Sequence, residues 1–312
     1  ASKGWTPISD DVVTDAPVAP PTQKAIFAFG FVNAGSETNV SNLVSSNGTV
    51  GNDVTGVGTA RTYFCGASYG SDKGIMAFGG ALTGANKTGV SNLISNQGVV
   101  ASDTSAVGTA RLNPGAAGFG TTGQAIFAYG SSASGNSTIV NFISNSGVVA
   151  SDSSGAGTAR NNPEGARYGV GLAIMAYGDT GSNTNISNKI SSSGVIASDT
   201  SGVGTARTGL GGTSYGGDKA IFAYGTGDTN ISNLVSNTGV VSSDVSGVGT
   251  ARNNVAGTNY GGDLGLFGYG LSGSTNQNMT NKVSNQGVVA SDTTGVGTAR
   301  VMPSACGYSL SA

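Results

Sequence analysis

Residues 233–252 read NLVSNTGVVSSDVSGVGTAR, and this pattern returns six times along the 312-residue chain. In every copy an aspartate follows the asparagine by eleven residues, and an arginine follows the aspartate by eight. The six sets are Asn42, Asp53 and Arg61; Asn92, Asp103 and Arg111; Asn141, Asp152 and Arg160; Asn188, Asp199 and Arg207; Asn233, Asp244 and Arg252; Asn281, Asp292 and Arg300. A repeat of about 48 residues is a whole supersecondary unit, so its period decides the fold before local propensity is considered.

One repeat contains four short segments that are typical of β-strands. They alternate large and small residues or are rich in Val, Ile, Ser and Gly, and turn residues separate them. In the fifth repeat they are 220–225, 231–236, 239–243 and 253–260. The turn at 237–239 combines Asn and Gly, which supply the positive φ values of a tight hairpin. Four antiparallel strands in each repeat predict the blade of a β-propeller.

The two ends of the chain complement each other. The first apolar strand, residues 24–30, lacks the Gly-Thr-Ala-Arg strand that precedes every later copy, and only four residues follow Tyr308. Pairing residues 301–312 with the sheet begun by residues 24–52 would remove two free strand edges. We therefore predict an all-β, six-bladed β-propeller over residues 24–312, closed by the C-terminal strand, with residues 1–23 as a separate arm.

Composition excludes several classes of function. Charged residues make up 10% of the chain and the net charge is −2, so it lacks the basic surface of a nucleic-acid-binding protein. No run approaches the ~18 apolar residues of a membrane helix, so we expect no membrane insertion. The chain has no histidine, which removes the commonest general base and most zinc-site designs. We predict no catalytic residues, no metal site and no cofactor, and hence no enzymatic activity.

The repeat resembles a known family in its strand order. An arginine, a small-residue strand, an apolar strand ending in an aromatic and Gly, and two further strands resemble the kelch repeat over residues 24–312. The kelch double glycine is matched only at Gly79–Gly80, and the outer-strand Trp is absent from every copy. The Gly- and Asn-rich sequence YGGDKAIFAYG, residues 215–225, is similar to repeats in tail and fibre-associated proteins of tailed bacteriophages. This second resemblance, and not the period, implies a virion protein.

The periodic polar residues have a structural and a functional interpretation. The functional interpretation makes the six arginines an anion-binding ring, or three of them a sialidase-like carboxylate clamp, but the chain lacks the Ser-x-Asp-x-Gly-x-x-Trp box of sialidases. Six copies at constant spacing favour fixed Asp–Arg pairs that join one blade to the next through the fork-shaped guanidinium. The six asparagines are expected to satisfy backbone groups, with repeated sugar binding as the alternative.

Two sets of aromatic residues and two cysteines also recur at fixed places. The aromatics of the apolar strands are predicted to pack between blades: Phe29, Phe78, Tyr129, Tyr177, Tyr224 and Tyr269. Another aromatic stands eight residues after each arginine: Tyr69, Phe119, Tyr168, Tyr215, Tyr260 and Tyr308. Cys65 and Cys306 follow a repeat arginine by four and six residues, so a disulfide is conceivable, although two buried free thiols are favoured.

Nearly all variation in repeat length falls in one loop. From the glycine of the apolar strand to the periodic asparagine, the intervals are 12, 13, 11, 10, 8 and 11 residues. The loops are 31–41, 80–91, 131–140, 179–187, 226–232 and 271–280. Because variable loops on a rigid scaffold often carry function, they are the predicted contact surface, with neutral drift as the alternative. The candidate binding residues are Asn33, Glu37, Asn86, Lys87, Asn136, Asp179, Asn183, Asp228 and Asn276.

Residues 1–23 stand outside the repeat and differ in composition. They hold the only Trp, Trp5, and four of the seven prolines, among them Pro7, Pro20 and Pro21. An apolar anchor on a proline-stiffened spacer predicts a docking arm, and a disordered leader is the alternative.

These observations lead to a functional expectation. We expect a non-enzymatic phage virion protein, structural or adhesive, in a tail fibre or a related part of the particle. Its arm would bind other virion proteins, and its loops would meet the host surface during host attachment, with a host-surface glycan as a further partner. A soluble carbohydrate-binding lectin is the alternative. A propeller glycosidase is disfavoured because few acids lie outside the periodic set.

Overall fold

The computed structural model describes residues 23–32, 36–81 and 86–309 of the chain. Regular secondary structure in this part of the chain consists of β-strands alone. The strands are β1 (Gln23–Val32), β2 (Ser36–Val44), β3 (Val50–Val54), β4 (Cys65–Tyr69), β5 (Lys73–Ala77), β6 (Ser91–Ile94), β7 (Gly115–Phe119), β8 (Gln124–Ala128), β9 (Ser131–Ser132), β10 (Gly135–Asn136), β11 (Ile139–Ile143), β12 (Ser153–Ser154), β13 (Glu164–Tyr168), β14 (Leu172–Asp179), β15 (Asn183–Ile190), β16 (Gly211–Tyr215), β17 (Lys219–Gly225), β18 (Thr229–Val235), β19 (Ala256–Tyr260), β20 (Leu264–Ser272), β21 (Thr275–Val283) and β22 (Ser304–Ser309). The all-β prediction is confirmed.

The strands form six antiparallel sheets, one for each repeat, and a two-stranded hairpin, β9–β10. Sheet 1 has the order β22-β1-β2-β3, sheet 2 β4-β5-β6, sheet 3 β7-β8-β11-β12, sheet 4 β13-β14-β15, sheet 5 β16-β17-β18 and sheet 6 β19-β20-β21. β22 pairs with β1 from Gln23–Ser309 to Ala28–Ser304. The C-terminal strand therefore lies in the first sheet, where the sequence places it.

The outer strand, the third of the four predicted in each repeat, is shorter than predicted in every sheet except sheet 1. Four-stranded ladders occur in sheets 1 and 3, whereas the outer segment of the other sheets makes only isolated bridges, such as Ser91–Thr104 and Ser232–Val245. The predicted strand 239–243 is therefore absent as a regular element. Nδ2 of Asn233 donates to the Ser242 carbonyl (3.0 Å), so a side chain also fastens this segment to the second strand.

Each apolar strand bends at its aromatic–glycine pair. The aromatic residue has φ between 59° and 67° in all six copies, and the glycine that follows also has positive φ. In sheets 1, 4, 5 and 6 the register shifts at this pair and the hairpin continues beyond it. The variable loops of these sheets are therefore shorter than predicted, because β-strand extends into 31–41, 179–187, 226–232 and 271–280.

All six sheets share the same two ends. At one end, which we call the turn end, lie the tight turns after the second strand, such as 45–49, and the turns after the inner strand, such as 70–72. Backbone hydrogen bonds join the inner turns of successive sheets in cyclic order: Gly70 N to Gly123 O, Gly120 N to Gly171 O, Gly169 N to Asp218 O, Gly216 N to Asp263 O, Gly261 N to Gln23 O, and Ser309 N to Asp72 O. The opposite end, the loop end, carries the variable loops.

The core lies between sheets. Six clusters of buried apolar side chains are each built from two neighbouring sheets, and the last joins sheet 6 to sheet 1. The inner strands contact one another in the same cyclic order, β4, β7, β13, β16, β19, β22 and again β4. In β1 the residues from Ala25 to Phe29 are fully buried, and each large side chain of this kind stabilises the fold by ~1.5–3 kcal/mol.

Candidate functional site

The periodic aspartate joins the outer segment of its own sheet to the connection that arrives from the preceding sheet. Thr59 N donates to both carboxylate oxygens of Asp103 (3.2 Å to Oδ1 and 3.1 Å to Oδ2), and the Thr59 hydroxyl donates to Oδ2 (2.6 Å). The same bonds join Asp152 to Thr109, Asp199 to Thr158, Asp244 to Thr205, Asp292 to Thr250, and Asp53 to Thr298. Burial alone would raise the pKa of Asp103, but the bonds from Thr59 and Asn92 and the charge of Arg61 lower it. We call this arrangement the joint.

The arginine of each repeat is buried beside the joint. Arg160 is fully buried, and its guanidinium donates to the carbonyl oxygens of Tyr177 (2.9 Å), Thr158 (3.2 Å) and Met175 (3.3 Å). Its guanidinium carbon also lies 4.1 Å from the ring centroid of Tyr129 in the preceding sheet. Every repeat arginine covers an apolar-strand aromatic in this way. The stacking is favourable because the cation meets the negative face of the ring.

The predicted direct contact between the aspartate carboxylate and the arginine guanidinium is wrong for five of the six repeats. Among the described residues, Arg61 and Asp103 alone come within 4.0 Å as a repeat ion pair, and no guanidinium forms a fork on a carboxylate. Instead, the carboxylate accepts hydrogen bonds from threonine, and the guanidinium donates to backbone carbonyls. The reason is geometric: the arginine lies over the aromatic ring, and its N–H groups then face the bent strand. The link between neighbouring sheets remains, but the guanidinium makes it by covering an aromatic ring of the preceding sheet.

The periodic asparagines behave as the structural interpretation predicts. All six are fully buried, and each Nδ2 donates to a carbonyl of the outer segment and to the aspartate of its own repeat, as Asn42 does to Gly51 (3.0 Å) and Asp53 (2.9 Å). Two Oδ1 atoms accept from an arginine: Asn233 from Arg207 (2.8 Å) and Asn281 from Arg252 (2.7 Å). The other four Oδ1 atoms have no partner among the described residues. No asparagine of this set is open to a sugar.

Both aromatic sets pack between sheets. The predicted set forms edge-to-face pairs across neighbours, such as Tyr177 with Phe222 at 5.7 Å and Phe78 with Phe127 at 5.5 Å. The second set lies against the turn glycine of the following sheet, where a Cβ on Gly239 would come 2.6 Å from Tyr168. The prediction of packing between blades is confirmed at the level of neighbouring sheets.

The candidate binding residues connect loops to one another. Lys87 Nζ donates to Ser132 O (2.6 Å), Asn136 Nδ2 to Asp179 O (2.9 Å), and Asn183 Nδ2 to Thr226 Oγ1 (3.2 Å). Further along the loop end, Asp228 Oδ2 accepts from Gly273 N (2.7 Å) and Asn276 Nδ2 donates to Phe31 O (3.1 Å). These bonds hold the loops in a fixed arrangement.

The remaining candidate loop residues are Asn86, Glu37 and Asn33. Asn86 is exposed at φ 54°, and Glu37 lies in β2. Asn33 is outside the described residues, as are Trp5, Pro7, Pro20 and Pro21 of the arm.

A channel runs along the inner strands, and its mouth at the loop end escaped the sequence prediction. It has a volume of about 190 Å³ and is lined by residues of all six sheets. The mouth is formed by the residue two positions after each arginine, and these have φ between 47° and 61°: Tyr63, Asn113, Asn162, Gly209, Asn254 and Met302. These six residues could have been found from their constant interval after the arginine, but their residue types differ, so the sequence pattern did not reveal them.

Glu164 is the acidic residue of the channel. It opens β13, and its Oε1 accepts a hydrogen bond from Gly212 N (3.2 Å) in the next sheet. Burial raises the pKa of this carboxyl to about 8, although the Gly212 bond opposes the shift. Glu164 can therefore be a neutral hydrogen-bond donor near pH 7.

The two cysteines are free thiols. Cys306 lies in the cluster between sheets 1 and 2, where burial raises its pKa to about 12. Cys65 lines the channel, and its pKa is also raised well above the ordinary value by burial. The interpretation as unpaired thiols is confirmed, and neither thiol has the lowered pKa of a nucleophile.

Comparison with known proteins gives no relative for this site. No protein-family model matches the chain, and no curated protein is significantly similar to it. Within the described ranges, His, Cys, Asp and Glu nowhere form a group of three that could hold a metal ion. In the same part of the chain, no helix has the length and apolar character needed to cross a membrane.

Proposed function

We propose that the six sheets are the blades of a six-bladed, kelch-like β-propeller whose ring is completed by β22 in sheet 1. Three independent sets of contacts support this arrangement. The turn-end backbone bonds, the six arginine–aromatic contacts and the six core clusters each follow the same cyclic order, and each includes a link between sheets 6 and 1. A linear stack of repeats would leave two terminal sheets without such a link.

We infer that this propeller is a non-enzymatic structural or adhesion protein of a phage particle. The observation that carries the inference is the placement of the two non-repeating features. Gln23, the first described residue, is bonded to Gly261 and Gly262 at the turn end, whereas the variable loops lie at the loop end. An arm that leaves from one end can anchor the protein while the other end faces outward.

The proposed partners follow from the placement of the arm and the variable loops at opposite ends, and from the resemblance of residues 215–225 to repeats of phage tail and fibre proteins. The arm binds another virion protein, and the loop end meets the host surface or a neighbouring virion protein. The localisation is the virion. The loop-to-loop hydrogen bonds support a display role, because a preorganised surface loses little conformational entropy when it binds.

Removal of the arm tests this function. A variant lacking residues 1–22 should fold with unchanged thermal unfolding but be lost from assembled particles, as measured by mass spectrometry of purified virions. Trp5→Ala should reduce incorporation strongly, whereas the matched control Thr6→Ala, in the same segment, should not. Normal incorporation of the shortened chain would contradict the anchoring role.

A soluble lectin is the second candidate function. It is favoured by the unpaired amide side chains at the channel mouth, which lie at the loop end and have the chemistry of a sugar site. A chain that is secreted or cytosolic, absent from particles and active on a glycan array would support this alternative.

A further inference from the structure

The mouth of the channel keeps side chains where the backbone favours glycine. Six equivalent residues have positive φ, and only Gly209 is a glycine. Asparagine tolerates this conformation, but Tyr63 (φ 58°) and Met302 (φ 54°) are bulky residues for which it is strained. The Phe and Tyr residues at positive φ in the apolar strands are explained by the arginine that covers them. Tyr63 and Met302 are only partly buried, so packing does not account for them.

The polar groups of the mouth are concentrated on one side. Tyr63, Asn113 and Asn162 belong to three consecutive sheets, and backbone bonds hold them together: Asn113 N donates to Tyr63 O (2.6 Å) and Asn162 N to Asn113 O (3.1 Å). The Tyr63 hydroxyl and both side-chain amides make no hydrogen bond with the described residues. Glu164, two residues after Asn162, lines the same channel and uses only Oε1.

These groups offer donors and acceptors to a ligand. Each amide supplies two N–H donors and a carbonyl acceptor, and the hydroxyl supplies one of each.

The opposite side of the mouth has fewer free polar groups. Met302 supplies a thioether side chain, Gly209 has no side chain and lies against Asn254, and the Asn254 amide donates to Asn253 (2.6 Å). Among the residues that line the channel, Glu164 and Arg167 carry the ionisable charges, and Arg167 lies three residues nearer the turn end. The mouth therefore presents hydrogen-bonding groups on one side and apolar surface on the other, without a cation.

We propose that the channel mouth binds one neutral sugar residue, either a free monosaccharide or the end of a glycan chain. Sugar hydroxyls would bond to Asn113, Asn162 and Tyr63, and the C–H face of the ring would lie on apolar surface from Met302 or the Tyr63 ring. The whole channel has a volume of about 190 Å³, below the roughly 300–1,000 Å³ of pockets for drug-sized ligands, so its mouth admits no more than a small ligand such as one sugar ring. The absence of a basic residue at the mouth excludes a preference for acidic sugars.

The biological role of this site, recognition of a host-surface glycan, rests on the proposed function. The site itself does not, because it consists of residues of the propeller alone. Separate measurements of sugar binding and of incorporation into particles distinguish a failure of the site from a failure of the proposed function. A chain found in the particle that binds no sugar would remove the site and leave the display role; a chain that binds sugar but is absent from particles would do the reverse.

The test uses the full chain on an array of neutral and sialylated glycans, followed by isothermal titration calorimetry with the free sugar that scores best. We expect binding to neutral glycans, and Asn113→Gly and Asn162→Gly should each weaken it at least tenfold. Glycine suits the positive φ at both positions, and Gly209 already occupies an equivalent place, so these variants should fold. The control is Asn145→Ala, which removes an exposed amide at the turn end.

Three results would overturn the proposal. They are failure of the wild-type chain to bind any neutral glycan, binding restricted to sialylated glycans, and binding that survives both glycine substitutions. Far-ultraviolet circular dichroism and thermal unfolding of each variant establish that a loss of binding is not a loss of fold. If one glycine variant fails to fold, the other decides the result.

Discussion

At the scale of single residues, the joint shows how charged groups are kept inside a protein with few of them. The arginine is held by an aromatic ring and by backbone carbonyls, and the aspartate by threonine and asparagine. Neither charge depends on a direct ion pair with the other. A buried guanidinium satisfied in this way gives geometric specificity, since no other side chain presents its donors in a rigid fork.

Substitution of the arginine should therefore be costly even when the charge is kept. Arg160→Lys should lower the free energy of unfolding by roughly 2–4 kcal/mol, because carbonyls of Tyr177, Thr158 and Met175 lose donors inside the core. Urea denaturation measures the change. The matched control is Arg167→Lys, an exposed arginine seven residues away, which should change stability by no more than about 0.5 kcal/mol. Equal effects of the two substitutions on the free energy of unfolding would contradict a structural role for the buried Arg160 guanidinium.

Glu164 predicts a dependence of stability on pH. Its pKa is raised by burial from 4.5 to about 8 in the folded protein, so the folded state holds a proton that the unfolded chain releases between these values. The free energy of unfolding should fall as pH rises from 4.5 to 8 and level off above. The Glu164→Gln variant should lack this part of the slope, as measured by urea denaturation at a series of pH values. Identical pH profiles for both proteins would show that Glu164 is solvated.

Residue identities at the joint could be predicted from sequence, but their partners could not. The constant spacing of Asn, Asp and Arg identified the structural set correctly. The spacing could not show that Thr59 meets Asp103, because a contact across 44 residues depends on the arrangement of sheets. The channel mouth was missed for a related reason: its residues share a backbone conformation but not a side-chain type.

At the scale of elements, the bend in each apolar strand positions both the joint and the loops. The glycine after the aromatic has a wide positive φ and approaches the backbone of its own repeat closely; at Gly225, φ is 131° and a Cβ would lie 2.8 Å from Thr208 O. Its N–H donates to the carbonyl of Arg252 in the next sheet (3.1 Å). The bend thus needs both positive φ and the absence of a side chain.

A pair of glycines in sheet 5 separates these two requirements. Gly225→Ala should destabilise the fold by at least ~1 kcal/mol more than Gly227→Ala, because overpacking adds to the cost of the backbone conformation. Gly227 also has positive φ (85°), but a Cβ there would meet no atom within 4 Å. Thermal and urea unfolding of both variants give the comparison. An equal loss of stability would mean that positive φ alone constrains the bend.

The strands were predictable where hydrophobic alternation is strong and less predictable in the outer segment, where it is weak. The apolar and inner strands lie where the alternation places them. The outer strand was overestimated because outside sheets 1 and 3 its backbone pairs only at isolated bridges, beside the bonds of the buried asparagine amide. The loops were overestimated because strand pairing resumes after the bend.

At the scale of the whole molecule, the contacts between sheets 6 and 1 determine how the chain ends are held. β22 pairs with β1, Thr298 bonds to Asp53, and Arg300 covers Tyr269. The complementarity of the two chain ends in the sequence predicted this pairing, because each end lacks the strands that the other supplies. The loop-to-loop bonds could not be predicted, since they depend on how the six loop ends face one another.

Removal of β22 tests the importance of this contact. A chain ending at residue 303 should lose cooperative unfolding and aggregate, because β1 would expose an unpaired edge. A chain ending at residue 309 is the control and should behave like the full chain. Size-exclusion chromatography and urea denaturation report both properties. A monomeric, cooperatively folded chain of 303 residues would contradict a closed arrangement of the sheets.

The central claim is that the protein is anchored at its turn end in a phage particle and displays its loop end. Cryo-electron microscopy of intact phage particles assembled while this chain is expressed tests it most directly. We expect six-bladed density with the turn end and residue 23 toward the particle, and the channel mouth facing outward. Density with the loop end buried against the particle, or a particle without this chain, would contradict the claim.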